Sequence, residues 1–291
     1  MTADMWVKFW GVRGGIPCPD PEYARYGGNT ACVELRCGAR TLVFDAGSGI
    51  RPLGRSLVAE GRGRDLDLLI SHCHVDHLIG LPFFAPAFRD DSTIRLWTGH
   101  RGSDEHLHDA VAQLMTRPLF PITPETFAAT LVYRDFRAGD AFDMGDGLAL
   151  RTGSLNHPGG ATAYRVDFGG RSFGYFTDHE AAADAPDPAL VALARGLDLL
   201  VIDASYTPAE VGDRRGWGHS SWVQAVALAE AAGVGRLALF HHDPCHDDAA
   251  MARIEAEAAA ARPGTFAARD GQDLEIGAAP AARARRTVSD L

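Results

Sequence analysis

The chain has 291 residues, 46% of them apolar, which is enough for one large packed domain, and its 28 basic against 38 acidic residues leave a formal charge of −10. That balance repels a polyanion, so a nucleic-acid partner is not expected. Cys18, Cys32, Cys37, Cys73 and Cys245 form no Cys-x-x-Cys pair and read as reduced thiols, and no basic leader or membrane-length apolar run occurs, so a soluble cytoplasmic protein without a membrane partner is expected.

In chain order, Trp6-Val7-Lys8-Phe9-Trp10 alternates as a first strand and ends in the glycine-rich turn Gly11 to Pro17. Arg13 in that turn reads as a surface arginine. Ala31 to Arg36 and Thr41 to Phe44 pair across Gly38-Ala39-Arg40, and the second of these strands stops at Asp45-Ala46-Gly47-Ser48-Gly49. Leu66 to Ser71 reads as a short buried strand, and Leu78 to Phe84 as the start of a helix. Between them, Ser71-His72-Cys73-His74-Val75-Asp76-His77 packs three imidazoles and a carboxylate onto a strand-to-helix turn. Side chains alternate along an extended segment, so His72 and His74 point the same way and can grip one ion; Asp76 and His77, past the bend, can reach a second.

Residues 85 to 147 carry little signal. His100, His106 and His108 are read as solvated surface, with Ser103 or Asp104 capping an amphipathic helix to Met115, and Pro118 to Pro124 is a proline-punctuated loop. Strands return at Leu148 to Thr152, Thr162 to Phe168 and Ser172 to Phe176, the last two joined by a Gly169-Gly170 hairpin turn. His157 and Asp178 stand beside them as single candidate residues. Asp198 to Asp203 is a buried strand ending in an acid, and His219 precedes a helix from Trp222 to Ala232 that has Ser221 and Gln224 in capping-box spacing and Gly233 as its stop. Arg236 to Phe240 delivers His241 and His242; Cys245 and His246 are read as cap and cleft lining before a helix from Asp247-Asp248 to about Ala261. The expected domain is 1–276, with 277–291 a disordered tail.

The pattern His-x-His-x-Asp-His, with His157, Asp178 and His241 following in order, resembles the metallo-β-lactamase-fold hydrolases from Val7 to about Ile276, and within them the ribonuclease Z and cyclic phosphodiesterase branch. The resemblance implies an α/β fold, a four-layer αβ/βα sandwich with a dinuclear metal site at the sheet edge. It implies His72, His74 and His157 on one divalent ion, Asp76, His77 and His241 on the other, and Asp178 bridging. In the same branch the glycine-rich segment that holds Arg13 opens toward the metals, which makes Arg13 a possible phosphate contact beside its reading as a surface arginine. His242 is the rival of His241, because a one-residue slip at the strand end exchanges them, and is otherwise a possible substrate contact. Asp45 would support the histidine loop by hydrogen bonds, a role its position allows alongside capping of the next helix. Asp203 and His219 fall where the branch places an acid relay, with Asp in place of Glu and a reach one methylene shorter. With Asp76 they form the expected catalytic set. Nitrogen-rich ligation suits zinc and the mixed site admits manganese or iron.

Two such ions about 3.5 to 4 Å apart share a water and present hydroxide in line with an electrophile, while His219 protonates the leaving group. The expected enzyme is a phosphodiesterase for a small, cyclic phosphodiester, with a homodimer allowed. The long glycine- and proline-rich arm usual in ribonuclease Z-like proteins is not found. The alternatives are an ester, thioester or lactone hydrolase, a ribonuclease Z-like RNA endonuclease, and a non-catalytic ligand-binding protein.

Overall fold

The computed structural model describes residues 5–100, 106–182 and 185–277. The first half of the chain lays down β1 (Met5–Gly11), β2 (Cys32–Cys37), β3 (Arg40–Phe44), β4 (Asp65–Leu69), β5 (Thr93–Thr98) and β6 (Thr130–Asp135). The second lays down β7 (Ala141–Asp143), β8 (Ala149–Leu155), β9 (Ala161–Phe168), β10 (Arg171–Phe176), β11 (Leu199–Asp203), β12 (Arg236–Phe240) and β13 (Thr265–Ala267). The last strand, β14 (Asp273–Glu275), crosses back to pair with β1, so the sheet orders are β14-β1-β2-β3-β4-β5-β6 and β13-β12-β11-β10-β9-β8-β7. Both sheets are mixed. β1, β2 and β3 are antiparallel and β3 to β6 parallel; β7 to β10 are antiparallel and β10 to β13 parallel.

The sheets face each other across an apolar layer that includes Val7, Phe9, Leu42 and Phe44 from one and Tyr164, Val166, Phe173, Tyr175 and Phe240 from the other. Phe44 is its centre, with ring centroids 5.8 Å from Tyr164, 5.4 Å from Phe173 and 5.1 Å from Tyr175. Each outer face is covered by helices. α1 (Ile50–Ala59) buries Ile50, Leu53, Gly54 and Leu57, one stripe at helical spacing, against β3, β4 and β5. α2 (Val75–Leu78) and α3 (Leu107–Leu114) join that layer. On the other face α4 (Pro188–Ala194), α5 (Trp222–Ala231) and α6 (Asp248–Ala261) cover β11 and β12. The four layers are thus the αβ/βα sandwich expected from the sequence. Among the described residues, no helix is long and apolar enough to cross a membrane.

Local chemistry accounts for the boundaries. Ser221 and Gln224 form a reciprocal capping box at the start of α5, and Gly233 takes φ +63° after its end. Gly169 and Gly170 both have positive φ, as a two-residue hairpin between β9 and β10 requires.

Three expectations shift. The helix expected from Leu78 is the single turn α2, begun earlier at Val75 and followed by a separate 3-10 turn at Leu81–Phe83, since Pro82 brings no N–H to continue the ladder. α3 begins at Leu107 after His106; Ser103 and Asp104, its expected caps, lie outside the described residues, as do residues 278–291 of the expected tail. His106 and His108 are exposed as expected, but His100 is half-buried, its ring 6.3 Å from that of His72.

Candidate dinuclear metal centre

Parallel strands that end together leave their next residues side by side, and open α/β sheets place ligands at such carboxyl ends. Here β3 is followed by Asp45, β4 by the His72 to His77 loop, β10 by Asp178, β12 by His241, and β11 ends in Asp203. Three of these, Asp45, Asp178 and His241, each hold φ +60°, a conformation uncommon for a residue with a Cβ. The left-handed residue breaks the alternation of the strand and decides which way its side chain is aimed.

Among the described residues three overlapping groups of donor atoms result: His72, His74, His157 and Asp178; Asp76, His77 and His241; and Asp178, Asp203, His219 and His241, the atoms within each lying within 4.8 Å of one another. Asp178 stands between the first two. Its Oδ2 is 3.5 Å from His72 Nε2 and 3.6 Å from His157 Nε2, and its Oδ1 is 3.3 Å from His77 Nε2 and 3.4 Å from His241 Nε2. Asp76 Oδ2 is 3.3 Å from His77 Nε2 and 3.2 Å from His241 Nε2, and also accepts from the Gly15 N–H at 2.7 Å.

The hydrogen-bond network assigns the tautomers. His77 Nδ1–H donates to Asp45 at 2.7 Å, His157 Nδ1–H to the Gly218 carbonyl at 2.8 Å, His72 Nδ1–H to Ser71 Oγ at 3.1 Å, and His241 Nδ1–H to Ser205 Oγ at 3.1 Å. In the neutral ring each Nε2 then carries a lone pair, and these lone pairs face one another and the carboxylates of Asp76 and Asp178. His72 Nε2, fully buried, has no hydrogen-bond partner among the described residues. Acceptors gathered at this spacing repel unless a cation lies among them; around a tetrahedral zinc, ligand atoms sit about 3.3 Å apart. The donor set fits two divalent ions sharing Asp178.

Electrostatics follow the same arrangement. Burial pushes His72 well below the ordinary imidazole value, with His77 adding to it, and burial lowers His74 and His157. For His77, burial is outweighed by Asp178, Asp76 and Asp45, which raise it. Burial would raise Asp178 and Asp76, but the imidazoles around them hold both below the carboxylate range.

Asp45 is a support for the loop rather than a helix cap. It accepts from the Ser71 N–H at 2.7 Å, Ser71 Oγ at 2.8 Å, His77, and the Tyr175 hydroxyl at 2.8 Å, whereas α1 is capped by Gly49 without a side-chain bond. The sequence reading missed Ser71, Ser205 and Tyr175, because a serine next to a histidine or a tyrosine in a buried strand carries no distinctive signal.

His219 Nδ1–H donates to Asp203 Oδ2 at 2.6 Å, and the imidazole stacks on His241 with centroids 4.7 Å apart. Burial alone would lower His219, but Asp203 outweighs it and the group is pushed up to about 9. Asp203 is itself held rigidly, accepting also from the backbone of His179 and from both the N–H and hydroxyl of Ser205. The missing methylene relative to Glu thus does not prevent the pairing.

Two expectations are corrected. Arg13 is fully buried, donating to the carbonyls of Gly27 (2.8 Å), Asp243 (3.2 Å) and His246 (2.7 Å); it ties loops together and is neither a surface arginine nor free to meet a phosphate. His242 is also fully buried, its Nε2 on the Ala268 carbonyl at 2.8 Å, which removes it both as rival ligand and as substrate contact.

A two-sheet sandwich with paired clusters of imidazole and carboxylate at its strand ends defines a metal-dependent hydrolase. The chain belongs to the β-lactamase superfamily, whose domain matches residues 40–242. Among its relatives is ribonuclease Z of Halorubrum lacusprofundi, 28% identical over 279 residues, covering 81% of this chain and 85% of that protein. Its fold is similar to the metallo-β-lactamase fold protein YhfI of Bacillus subtilis (TM-score 0.70, 19% identity, 94% of this chain and 99% of that one). It is likewise similar to a diphosphatase of the PhnP family (TM-score 0.65, 18% identity, 93% and 97%). At these identities the two structures speak to the fold alone. The relative's name withdraws support from the expectation, drawn from net charge, that nucleic acid is not a partner.

Proposed function

We propose that the chain hydrolyses phosphodiesters, with His72, His74, His157 and Asp178 holding one divalent ion, Asp76, His77, His241 and Asp178 the other, and His219 as general acid. The observation that carries this reading is the Asp203–His219 pair, 2.6 Å apart and stacked over His241, because lactam and lactone hydrolysis has less need of a carboxylate-oriented imidazole at the metals. The ions, zinc or alternatively manganese or iron, would supply a water of lowered pKa and neutralise charge on the phosphoryl group. Asp203 fixes the His219 tautomer, so that Nε2 holds the proton for the departing oxygen. The same ring lines a cleft of about 400 Å³ with Asn156, Glu180, Pro208, Val211 and Arg215, which gives the leaving group a place.

A small diester fits this cleft and the acidic chain; RNA is the second reading, favoured by the relative named ribonuclease Z. The test starts from metal-stripped protein refilled with zinc or manganese and assayed on bis(p-nitrophenyl) phosphate, with bound metal counted on the same sample. Turnover returning at about two ions per chain is expected; two ions with no turnover moves the assignment to ester or lactone chemistry. His219→Ala should slow an alkoxide-leaving diester by about 100-fold or more and the aryl diester far less, and equal losses remove the acid role. Cyclic nucleotides and a precursor transfer RNA, offered side by side, then separate the two substrates.

A further inference from the structure

The peptide segment Gly216-Trp217-Gly218-His219 serves both halves of the site. The Gly218 carbonyl takes the Nδ1–H of the metal-cluster residue His157 at 2.8 Å, and the next residue is His219. Gly216 and Gly218 hold φ +83° and +89°, and a Cβ on Gly218 would stand 2.1 Å from His157 Nδ1, so the backbone lies directly on that imidazole. A loop with two left-handed glycines has many conformations open to it and needs an external hold.

Glu180 provides that hold. Its Oε2 accepts from the N–H of Gly216 and of Gly218, both at 2.8 Å, and its Oε1 accepts from Gly216 at 3.0 Å. Its own backbone is tied to Asn156, the residue before His157: the Glu180 N–H donates to the Asn156 carbonyl at 2.8 Å, and Asn156 Nδ2 donates to the Glu180 carbonyl at 2.9 Å. Glu180 also lies two residues beyond Asp178. The three segments that carry His157, Asp178 and His219 therefore meet at this one residue, the first through its backbone and the last through its carboxylate, and it touches none of the reacting atoms.

We infer that Glu180 is a positioning residue that clamps the Gly216–Gly218 backbone, and through it sets both the His157 imidazole and the His219 acid. The second half of this statement rests on the phosphodiesterase reading; the first does not. Glu180→Ala removes the acceptor, whereas Glu180→Gln keeps a carbonyl oxygen able to take both amides.

Zinc affinity is measured on each full-length protein by competition with a chromophoric chelator. Turnover is measured on an alkoxide-leaving and an aryl-leaving diester. Glu180→Ala is expected to weaken zinc about 10-fold or more, the scale of outer partners of a metal ligand. It should also slow the alkoxide substrate several-fold more than the aryl one, with the Gln variant recovering most of both. Equal loss in the Ala and Gln variants, or unchanged zinc affinity in Glu180→Ala, would overturn the clamp. If no diester is turned over even by the parent protein, the phosphodiesterase reading fails by itself, and the chelator titration still decides the effect on His157.

Discussion

Asp45→Asn is the sharpest probe of how the histidine loop is held. The carboxylate is wholly buried and accepts four hydrogen bonds, one on Oδ1 from the Ser71 N–H and three on Oδ2 from Ser71 Oγ, His77 Nδ1–H and the Tyr175 hydroxyl. An amide of the same shape must turn its NH₂ toward one side or the other. Facing His77, it sets donor against donor and drives the imidazole to the tautomer whose Nε2 carries hydrogen and cannot bind metal. Facing the Ser71 N–H, it displaces the backbone that carries His72. Either orientation leaves a buried donor without an acceptor, a cost of about 1 to 3 kcal/mol. Loss of an outer partner of a metal ligand separately lowers metal affinity by about 10- to 100-fold, or about 1.4 to 2.7 kcal/mol, so both stability and zinc binding should fall. The assay is zinc competition against a chelator, beside a urea melt of the same protein. Two ions bound with parental affinity and stability would refute the assigned tautomer and the support role together.

Two further predictions concern stability. Asp270 accepts from the Asn29 N–H at 3.0 Å and Asn29 Nδ2 at 3.1 Å, yet burial pushes its pKa up to about 7 from 3.8. An acid whose folded pKa is raised binds protons more tightly in the folded state, so stability falls as pH rises from the unfolded value toward 7, and stays low above it. Between pH 5 and 8, Asp270→Asn should gain about 3 kcal/mol relative to the parent in urea denaturation; a difference independent of pH would sink this. Phe44→Ala, emptying the position between the sheets that meets Tyr164, Phe173 and Tyr175, should cost about 3 to 5 kcal/mol by the same measurement, and a cost under about 1 kcal/mol would show that the layer closes over the gap.

What could be read from the sequence was local. The apolar run from Leu66 to Ser71 followed by the clustered histidines placed two ligand pairs on a strand-to-helix turn, because side-chain direction along a short extended segment depends only on spacing. The capping box at Ser221 and the glycine hairpin at 169–170 were legible for the same reason. Recognition of the His-x-His-x-Asp-His pattern then brought distant single residues, His157, Asp178 and His241, into one set that no spacing argument could have joined.

Tertiary structure decided what depended on contacts across the chain or on an unusual backbone angle. His241 rather than His242 faces the cluster because His241 sits at φ +60°, which strand alternation cannot foresee, and His242 is turned to Ala268. Arg13 became an internal tie because its acceptors lie on Gly27, Asp243 and His246, the last two over 200 positions away. The clamp of Glu180 on Gly216 and Gly218 spans 36 and 38 positions and joins two irregular segments. Periodicity and propensity act over a few neighbouring residues, whereas the partners of a buried polar group are chosen only when the sheets pack and water is excluded.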